Sequence, residues 1–189
     1  MSTFVKPSER VVSCGDVSCE FLVDPIPRPK PPAIKVSTSP QHREIVFVDN
    51  HKPNSIAILR GAQAILRARG IPVREEVKLK LNASVTLDDA ELAELASKGG
   101  LILCGISDCG SCSAASVRDA ILLQQRGAAA IAVLTKPFES QMDRIATYYE
   151  TDRPIPVVVL DHPMQNVGTA ELRARSEALA DAVEAIFNE

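Results

Sequence analysis

Residues 101–135 read LILCGISDCGSCSAASVRDAILLQQRGAAAIAVLT, and this stretch decides the fold. It opens with the apolar run LILCGI, continues through a small polar turn, and ends with the apolar run AAIAVLT. Between the two runs, Ala114, Val117 and Ile121 share one face of a helix that we predict over 113–127. A strand, a helix and a second strand in this order predict a βαβ unit with parallel strands.

The same alternation of short apolar runs and helical stripes continues from residue 44 to the end of the chain. Strands are predicted at 44–49, 71–79, 101–106, 129–135 and 154–161, and helices at 54–70, 86–100, 113–127, 140–149 and 169–189. Most of these strands are continuous apolar runs, as expected for parallel strands that are buried on both faces. The pattern therefore predicts a doubly wound α/β fold, a flavodoxin-like three-layer sandwich whose parallel five-stranded sheet has the order 2-1-3-4-5.

The beginning of the chain departs from this pattern. Residues 24–40 read DPIPRPKPPAIKVSTSP and hold six prolines in seventeen residues, which favours an extended arm over a packed element. We therefore predict a proline-rich N-terminal arm over 1–43 and an α/β domain over 44–189. The arm leaves open a homodimer, a partner subunit in a heteromeric enzyme, or a partly ordered tail.

Composition and charge argue against several classes of function. The net charge is −3 and the sequence has no basic stripe, which disfavours nucleic-acid binding. The longest apolar runs are about strand length, well short of the roughly 18 residues of a membrane span. The N-terminal residues lack the apolar segment of a secretory signal. We expect a cytoplasmic protein that binds neither nucleic acid nor a membrane.

Polar residues collect where the predicted strands end, which is the edge at which open parallel sheets bind ligands. Because strands 1 and 3 are predicted neighbours, their loops should meet there. The candidate catalytic residues are Cys109, Cys112, His51, His162 and Asp108, and the candidate substrate-binding residues are Lys52, Asn54, Ser111, Lys136 and Asp161. We predict no metal among these residues, and no cofactor is evident from the sequence. We expect the substrate to be a small molecule.

The thiols carry the chemical argument. Five cysteines in a chain of 189 residues, at 14, 19, 104, 109 and 112, do not suggest a secreted disulfide framework. Cys104 lies in an apolar run and is interpreted as a small buried hydrophobe. A helix N-terminus favours a thiolate, and the spacing of Cys109 and Cys112 lets one thiol attack while the other resolves.

Asp108 opposes this activation, because an adjacent carboxylate raises the pKa of a thiol. Its functional alternative is to accept a proton, or to accept a hydrogen bond that orders the loop.

The stretch GISDCGSCSAASVRDAILLQQRG, together with NHKPNSIAILRG, AVLTKPF and IPVVVLDHP, resembles the UGSC family over about residues 45–187. In some members of that family selenocysteine replaces the first cysteine of the tetrapeptide. The resemblance implies that Cys109 stands at the selenocysteine position and Cys112 at its partner, and hence that Cys109 is a reactive chalcogen site. More loosely, the thiol pair on an α/β domain is similar to substrate-binding components of glycine-type reductases, which cleave carbon–heteroatom bonds.

Three functions remain open from the sequence. The first is a thiol-dependent enzyme in which Cys109 attacks an electrophilic small molecule and Cys112 resolves the adduct, with an external thiol or a thioredoxin-type partner as reductant. The second is a cysteine hydrolase or lyase in which His162, with Asp161 adjacent, activates Cys109. The third is a non-catalytic subunit that binds a partner, or that binds a metal through Cys14, Cys19, Cys109 and Cys112.

Overall fold

The computed structural model describes residues 32–140, 145 and 149–188. The strands are β1 (Ile45–Asp49), β2 (Val73–Leu79), β3 (Leu101–Ser107), β4 (Ala130–Thr135) and β5 (Val157–Leu160), and the helices are α1 (Ser55–Ala68), α2 (Asp89–Ser97), α3 (Gly110–Gln125) and α4 (Thr169–Asn188). A 3-10 turn, Lys136–Phe138, follows β4. Within the described ranges, no helix has the length and apolar character needed to cross a membrane.

All five strands are parallel, in the order β2-β1-β3-β4-β5. The predicted flavodoxin-like fold is therefore confirmed, including the place where the strand order reverses, between β1 and β3. The central strands β1, β3 and β4 are buried along their whole length, whereas β2, at the sheet edge, is buried only at Val73 and Val77.

Helices cover both faces of the sheet and give it two cores. On one face Phe47 packs with residues of α1 and α4, and on the other Val48 packs with residues of α2 and α3. The first helical layer is very close-packed, since a Cβ built on Gly61 would clash with the Ser176 side chain of α4. The two layers and the sheet form the predicted three-layer sandwich.

Helix α3 begins earlier than the sequence pattern suggests. The predicted start at Ser113 is wrong, because the first helical residue is Gly110 and Cys109 is its N-cap. Small polar residues precede the apolar stripe of α3, so hydrophobic periodicity does not register the first turn. As a consequence Cys112 belongs to the helix, whereas Cys109 lies just outside it. The predicted helix over 140–149 lies mostly outside the described residues.

The described part of the predicted arm lies against the α/β domain. Ile34 and Val36 are buried in the core on the α2 and α3 face, and Ile34 pairs with Thr151 in a parallel bridge. The backbone N–H of Ser37 donates to Oε1 of Gln124 at 2.8 Å. Residues 1–31, with most of the prolines of the predicted arm, lie outside the described residues, so the arm and its boundary stay predictions.

Candidate functional site

The carboxyl ends of β1 and β3 lie side by side. Asp49 pairs with Gly105 across the two strands, and the backbone N–H of Asn50 donates to the Gly105 carbonyl at 3.0 Å. The loop that carries His51 and the turn that carries Cys109 therefore start from neighbouring strands, as the strand order predicted. This is the position at which open parallel sheets bind ligands.

The sulfur atoms of Cys109 and Cys112 lie next to each other at the start of α3, and the Cα atoms of the two residues are 5.5 Å apart. The backbone N–H of Cys112 donates to Sγ of Cys109 at 3.3 Å, and that of Cys109 donates to Sγ of Cys112 at 3.1 Å. Cys112 is fully buried, whereas Cys109 is partly exposed. Hydrogen bonds from N–H groups stabilise an anionic acceptor more than a neutral one, so the turn suits a thiolate. Cys109 is the sulfur that solvent reaches.

A buried polar network lies behind the thiols. The Asn50 amide donates to the hydroxyls of Ser107 at 2.6 Å and Ser116 at 2.7 Å. The Ser107 hydroxyl in turn donates to the Cys112 carbonyl at 3.1 Å. Because these groups are fully buried, the network fixes the start of α3 against the ends of β1 and β3.

A second set of hydrogen bonds orders the loop after β1. The Ser55 hydroxyl and the His51 backbone N–H both donate to Oδ1 of Asp49, and the Ile106 N–H donates to Oγ of Ser55 at 3.2 Å. His51 has a left-handed backbone with φ 57°, and its side chain is exposed. Lys52 follows in the same loop and is partly buried.

Asn54 also has a left-handed backbone, with φ 66°, at the N-cap position of α1. Its side chain does not cap that helix. Instead Nδ2 donates to the Met164 carbonyl at 2.8 Å, which ties the loop after β1 to the loop after β5.

Three buried side-chain atoms of the described residues have no hydrogen-bond partner: Oδ1 of Asn50, Oδ1 of Asp108 and Oγ of Ser113. All three belong to the ends of β1 and β3 or to the first turn of α3. Buried polar groups are almost always paired, and a group that is not calls for an explanation such as a catalytic role or a bound ligand. Their grouping around the thiol pair is the most informative feature of this edge.

His162 is held by Thr135 rather than by a carboxylate. Nδ1 of His162 lies 3.1 Å from Oγ1 of Thr135, whose hydroxyl donates to the Ser107 carbonyl at 3.4 Å. The Phe138 ring meets the imidazole at 72°, with a centroid distance of 5.8 Å. His162 is thereby placed at the end of β4, one hydrogen-bonded step from β3.

Asp161 and Lys136 pair with each other at 2.6 Å on the surface. The Lys136 ammonium lowers the pKa of the Asp161 carboxyl, and the carboxylate raises the pKa of Lys136. Both side chains are exposed. Each of these two predicted substrate-binding side chains therefore already has the other as its ionic partner.

Ser111 links the thiol turn to the loop after β2. Its exposed hydroxyl lies 2.9 Å from that of Ser84 and 3.7 Å from Sγ of Cys109. This contact brings a third loop to the thiol pair, and our sequence analysis assigned that loop no role.

Cys104 does not belong to this site. Cys104 is buried in β3, and burial raises the pKa of its thiol far above the ordinary value, in keeping with a packing residue. Over the described residues, no group of three or more His, Cys, Asp or Glu side chains is placed to hold a metal ion. Cys14 and Cys19, which the metal alternative requires, lie outside those residues.

Sequence reasoning did not select several polar side chains of this edge. They are Asn50, Ser107, Ser113, Ser116, Thr135 and Gln165. Asn50, Ser107 and Thr135 end or directly follow apolar strands, and that position was an available signal. Ser116 and Gln165 carry no local signal, because a helix and a loop contain such residues routinely.

The chain is similar to solved structures and matches one family model. A search of curated proteins finds no match. Solved structures to which the chain is similar include rubredoxin oxygen:oxidoreductase from Desulfovibrio gigas, at 15% identity and a TM-score of 0.40, where the match covers 82% of this chain and 38% of that one. They also include the diflavin flavoprotein A3 from Nostoc sp., at 15% identity and a TM-score of 0.38, with 77% and 95% covered.

The chain thus spans well under half the length of the Desulfovibrio protein. The model of the UGSC family, in contrast, matches residues 21–189, a range that holds the thiol pair and every candidate site residue. The chain belongs to the UGSC family.

Proposed function

We propose that this protein is a thiol-dependent enzyme that acts on a small electrophilic molecule, with Cys109 as the nucleophile and Cys112 as the resolving thiol. The observation that carries the proposal is that the two sulfur atoms lie next to each other at the N-terminus of α3, with Cα atoms 5.5 Å apart. That separation lies within the range that a disulfide requires, so a disulfide can form and open here without a large movement of the backbone. Membership of the UGSC family supports thiol chemistry at this position.

The partial exposure of Cys109 and the burial of Cys112 assign the two roles. In the reduced protein, the Cys109 thiolate attacks the heteroatom X of a substrate R–X; a sulfur–X bond forms, the R–X bond breaks, and R leaves with the electron pair and takes up a proton. Cys112 then attacks Sγ of Cys109, so that the disulfide forms and X leaves as HX. Overall R–X and two thiols become R–H, HX and one disulfide, and the substrate gains two electrons.

The remaining candidate residues serve binding and proton transfer. His51 or His162 supplies the proton to R, and Asn54 and Lys52 hold the substrate beside the thiol turn. Lys52 suits a charged substrate group better than Lys136, because Lys136 is already paired with Asp161. Ser111 stands next to the attacking sulfur at 3.7 Å.

Turnover requires an external thiol or a thioredoxin-type dithiol that reduces the disulfide. Such reductants keep protein thiols reduced in the cytoplasm, where we place the protein. The substrate in this proposal is a small molecule.

Peptide mapping of the purified protein in buffers of defined glutathione ratio tests the proposal. We expect one reversible bridge between Cys109 and Cys112, and in Cys112→Ser a mixed disulfide of glutathione with Cys109 instead. If both cysteines stay reduced across a range that oxidises an exposed dithiol, the redox mechanism is wrong.

A further inference from the structure

The described residues contain three buried aspartates, and two of them are well paired. Asp119 accepts from Lys80 and from the Leu87 N–H. Asp49 accepts from the Ser55 hydroxyl and the His51 N–H. Burying a carboxylate is costly unless its oxygens are paired, and these two follow that rule.

Asp108 does not follow it. The residue is only 8% exposed, Oδ1 has no hydrogen-bond partner, and Oδ2 accepts one long hydrogen bond, 3.3 Å, from the Gln165 amide. No Lys or Arg of the described chain forms an ion pair with it. The underpaired carboxylate directly precedes Cys109, the proposed nucleophile.

A second buried acceptor oxygen without a partner lies at the end of the neighbouring strand β1. Asn50 is fully buried. Its Nδ2 group donates hydrogen bonds to the Ser107 and Ser116 hydroxyls, while its Oδ1 has no hydrogen-bond partner. An ionised carboxylate and an amide oxygen both accept hydrogen bonds and donate none. The group that complements them is rich in N–H donors and carries positive charge.

We propose that this edge binds a protonated or N–H-rich nitrogen of the substrate, an amine or an amidine, held by Asp108 with Asn50 while Cys109 attacks an atom close to that nitrogen. The inference rests on the proposed function, in that Cys109 is the nucleophile. The substrate nitrogen replaces the amide of Gln165, whose side chain is exposed and comes from the loop after β5.

Two alkylating probes of equal length and opposite charge test this inference: 2-bromoethylamine, which is a cation, and 3-bromopropionate, which is an anion. In both reactions the Cys109 thiolate forms a carbon–sulfur bond, the carbon–bromine bond breaks and bromide leaves. Mass spectrometry gives the rate at Cys109 for each probe in the reduced wild type, Asp108→Asn and Glu139→Gln. Glu139→Gln is the matched control, because it removes one exposed negative charge from the segment after β4.

The ratio of the two rates is the decisive quantity, because any change in the reactivity of the thiol itself affects both probes alike. We expect Asp108→Asn to lower the cation-to-anion ratio about tenfold, as an interaction of about 1.4 kcal/mol would, and Glu139→Gln to leave it within about twofold. Equal ratios in the two variants would overturn the inference while leaving Cys109 a nucleophile.

Two further results complete the test. Guanidinium chloride at millimolar concentration should slow the reaction of wild-type Cys109 with 2-bromoethylamine more than sodium chloride does, and equal effects would contradict the inference without any variant. A Cys109 that reacts with neither probe overturns the proposed function, and this inference with it.

Discussion

Cys109 and Cys112 exchange backbone hydrogen bonds with each other's sulfur, at 3.3 Å and 3.1 Å, across the first turn of α3. In an ordinary capping box, side-chain oxygens play this part at the N-cap and at the third helical position. Here the two groups that complete the start of the helix are the two thiols to which we assign redox chemistry. We therefore expect the start of α3 to be coupled to the oxidation state of the thiol pair.

Cys112→Ser separates the redox mechanism from the hydrolytic alternative. We expect the variant to keep alkylation of Cys109 and to lose catalytic turnover with a dithiol reductant by at least about 100-fold, because no second thiol remains to release the adduct. Its activity is measured against wild type with the same electrophile.

A hydrolase or lyase would behave differently, since Cys112 has no role in its mechanism. Turnover in Cys112→Ser within a few-fold of wild type would favour that alternative. The pairing of Asp161 with Lys136 leaves His162 with a hydroxyl partner, so a hydrolytic site would have to operate without a carboxylate behind its histidine.

Cys104 should be inert in the folded protein. Burial is the largest cause that raises the pKa of its thiol, and the nearby Asp119 carboxylate adds to it. We expect iodoacetamide at pH 8 to label Cys104 at least about 100 times more slowly than Cys109, since the thiolate is the nucleophile. Labelling followed by peptide mapping measures both rates in one sample, and comparable rates would show that the β3 core opens readily.

We expect Thr135 to set the tautomer of His162. The Thr135 hydroxyl donates to the Ser107 carbonyl, so its oxygen is expected to accept from Nδ1–H of His162, which leaves Nε2 as the base. Nitrogen-15 NMR of the neutral imidazole should show the Nδ1–H form in wild type and in Thr135→Ser. In Thr135→Val the free-imidazole preference for Nε2–H should return.

His51 serves as the internal control in that spectrum, because its exposed ring should not respond to either change at Thr135. An Nε2–H form of His162 in the wild type would show that Thr135 donates to the imidazole. The predicted direction of this hydrogen bond would then be wrong.

The ion pair of Lys80 and Asp119 fastens α3 to the loop after β2, and both side chains are buried, at 3% and 0% exposure. Lys80→Met should lower the free energy of unfolding by about 3–5 kcal/mol, because it leaves a buried carboxylate unpaired. The double variant, with Lys80→Met and Asp119→Leu, should recover most of this loss. Urea denaturation measures the changes. Arg173→Met is the control for an exposed pair, since Arg173 and Glu177 are 81% and 50% exposed, and it is expected to cost about 1 kcal/mol or less.

The same variant should respond to pH in a defined direction. Burial raises the pKa of Asp119 in the folded protein, so the folded state holds the proton more tightly than the unfolded state. Stability should therefore fall as the pH rises above the ordinary carboxyl value of about 4, and more steeply in Lys80→Met than in wild type. A variant whose stability is independent of pH would contradict the assignment.

The strand order could be predicted because its determinants are local and repeated. The runs around Phe47, Ile102 and Ile131 are long enough and apolar enough to require burial on both faces. Together with two further strands and the helices that alternate with them, they leave few topologies. The start of α3 could not be predicted, because Gly110 and Ser111 are poor helix formers and the two sulfurs cap the helix only once its first turn has formed.

The candidate site was predictable to the extent that strand ends predict it. The Cys109 turn and the His51 loop meet because β1 and β3 are neighbours. The partners of individual side chains were not predictable, because Gln165 reaches Asp108 across 57 residues and Thr135 reaches His162 across 27. Such contacts depend on how loops close over the sheet edge, and no local pattern encodes that.

The most direct test of the central claim is the rate of alkylation of Cys109 as a function of pH, read by mass spectrometry in wild type and Cys112→Ser. The account predicts an apparent pKa well below the free-thiol value of about 8.5 in both proteins, together with a Cys109–Cys112 disulfide on oxidation of the wild type. A Cys109 that titrates like a free thiol and forms no disulfide would contradict it, and the turn would then only begin a helix.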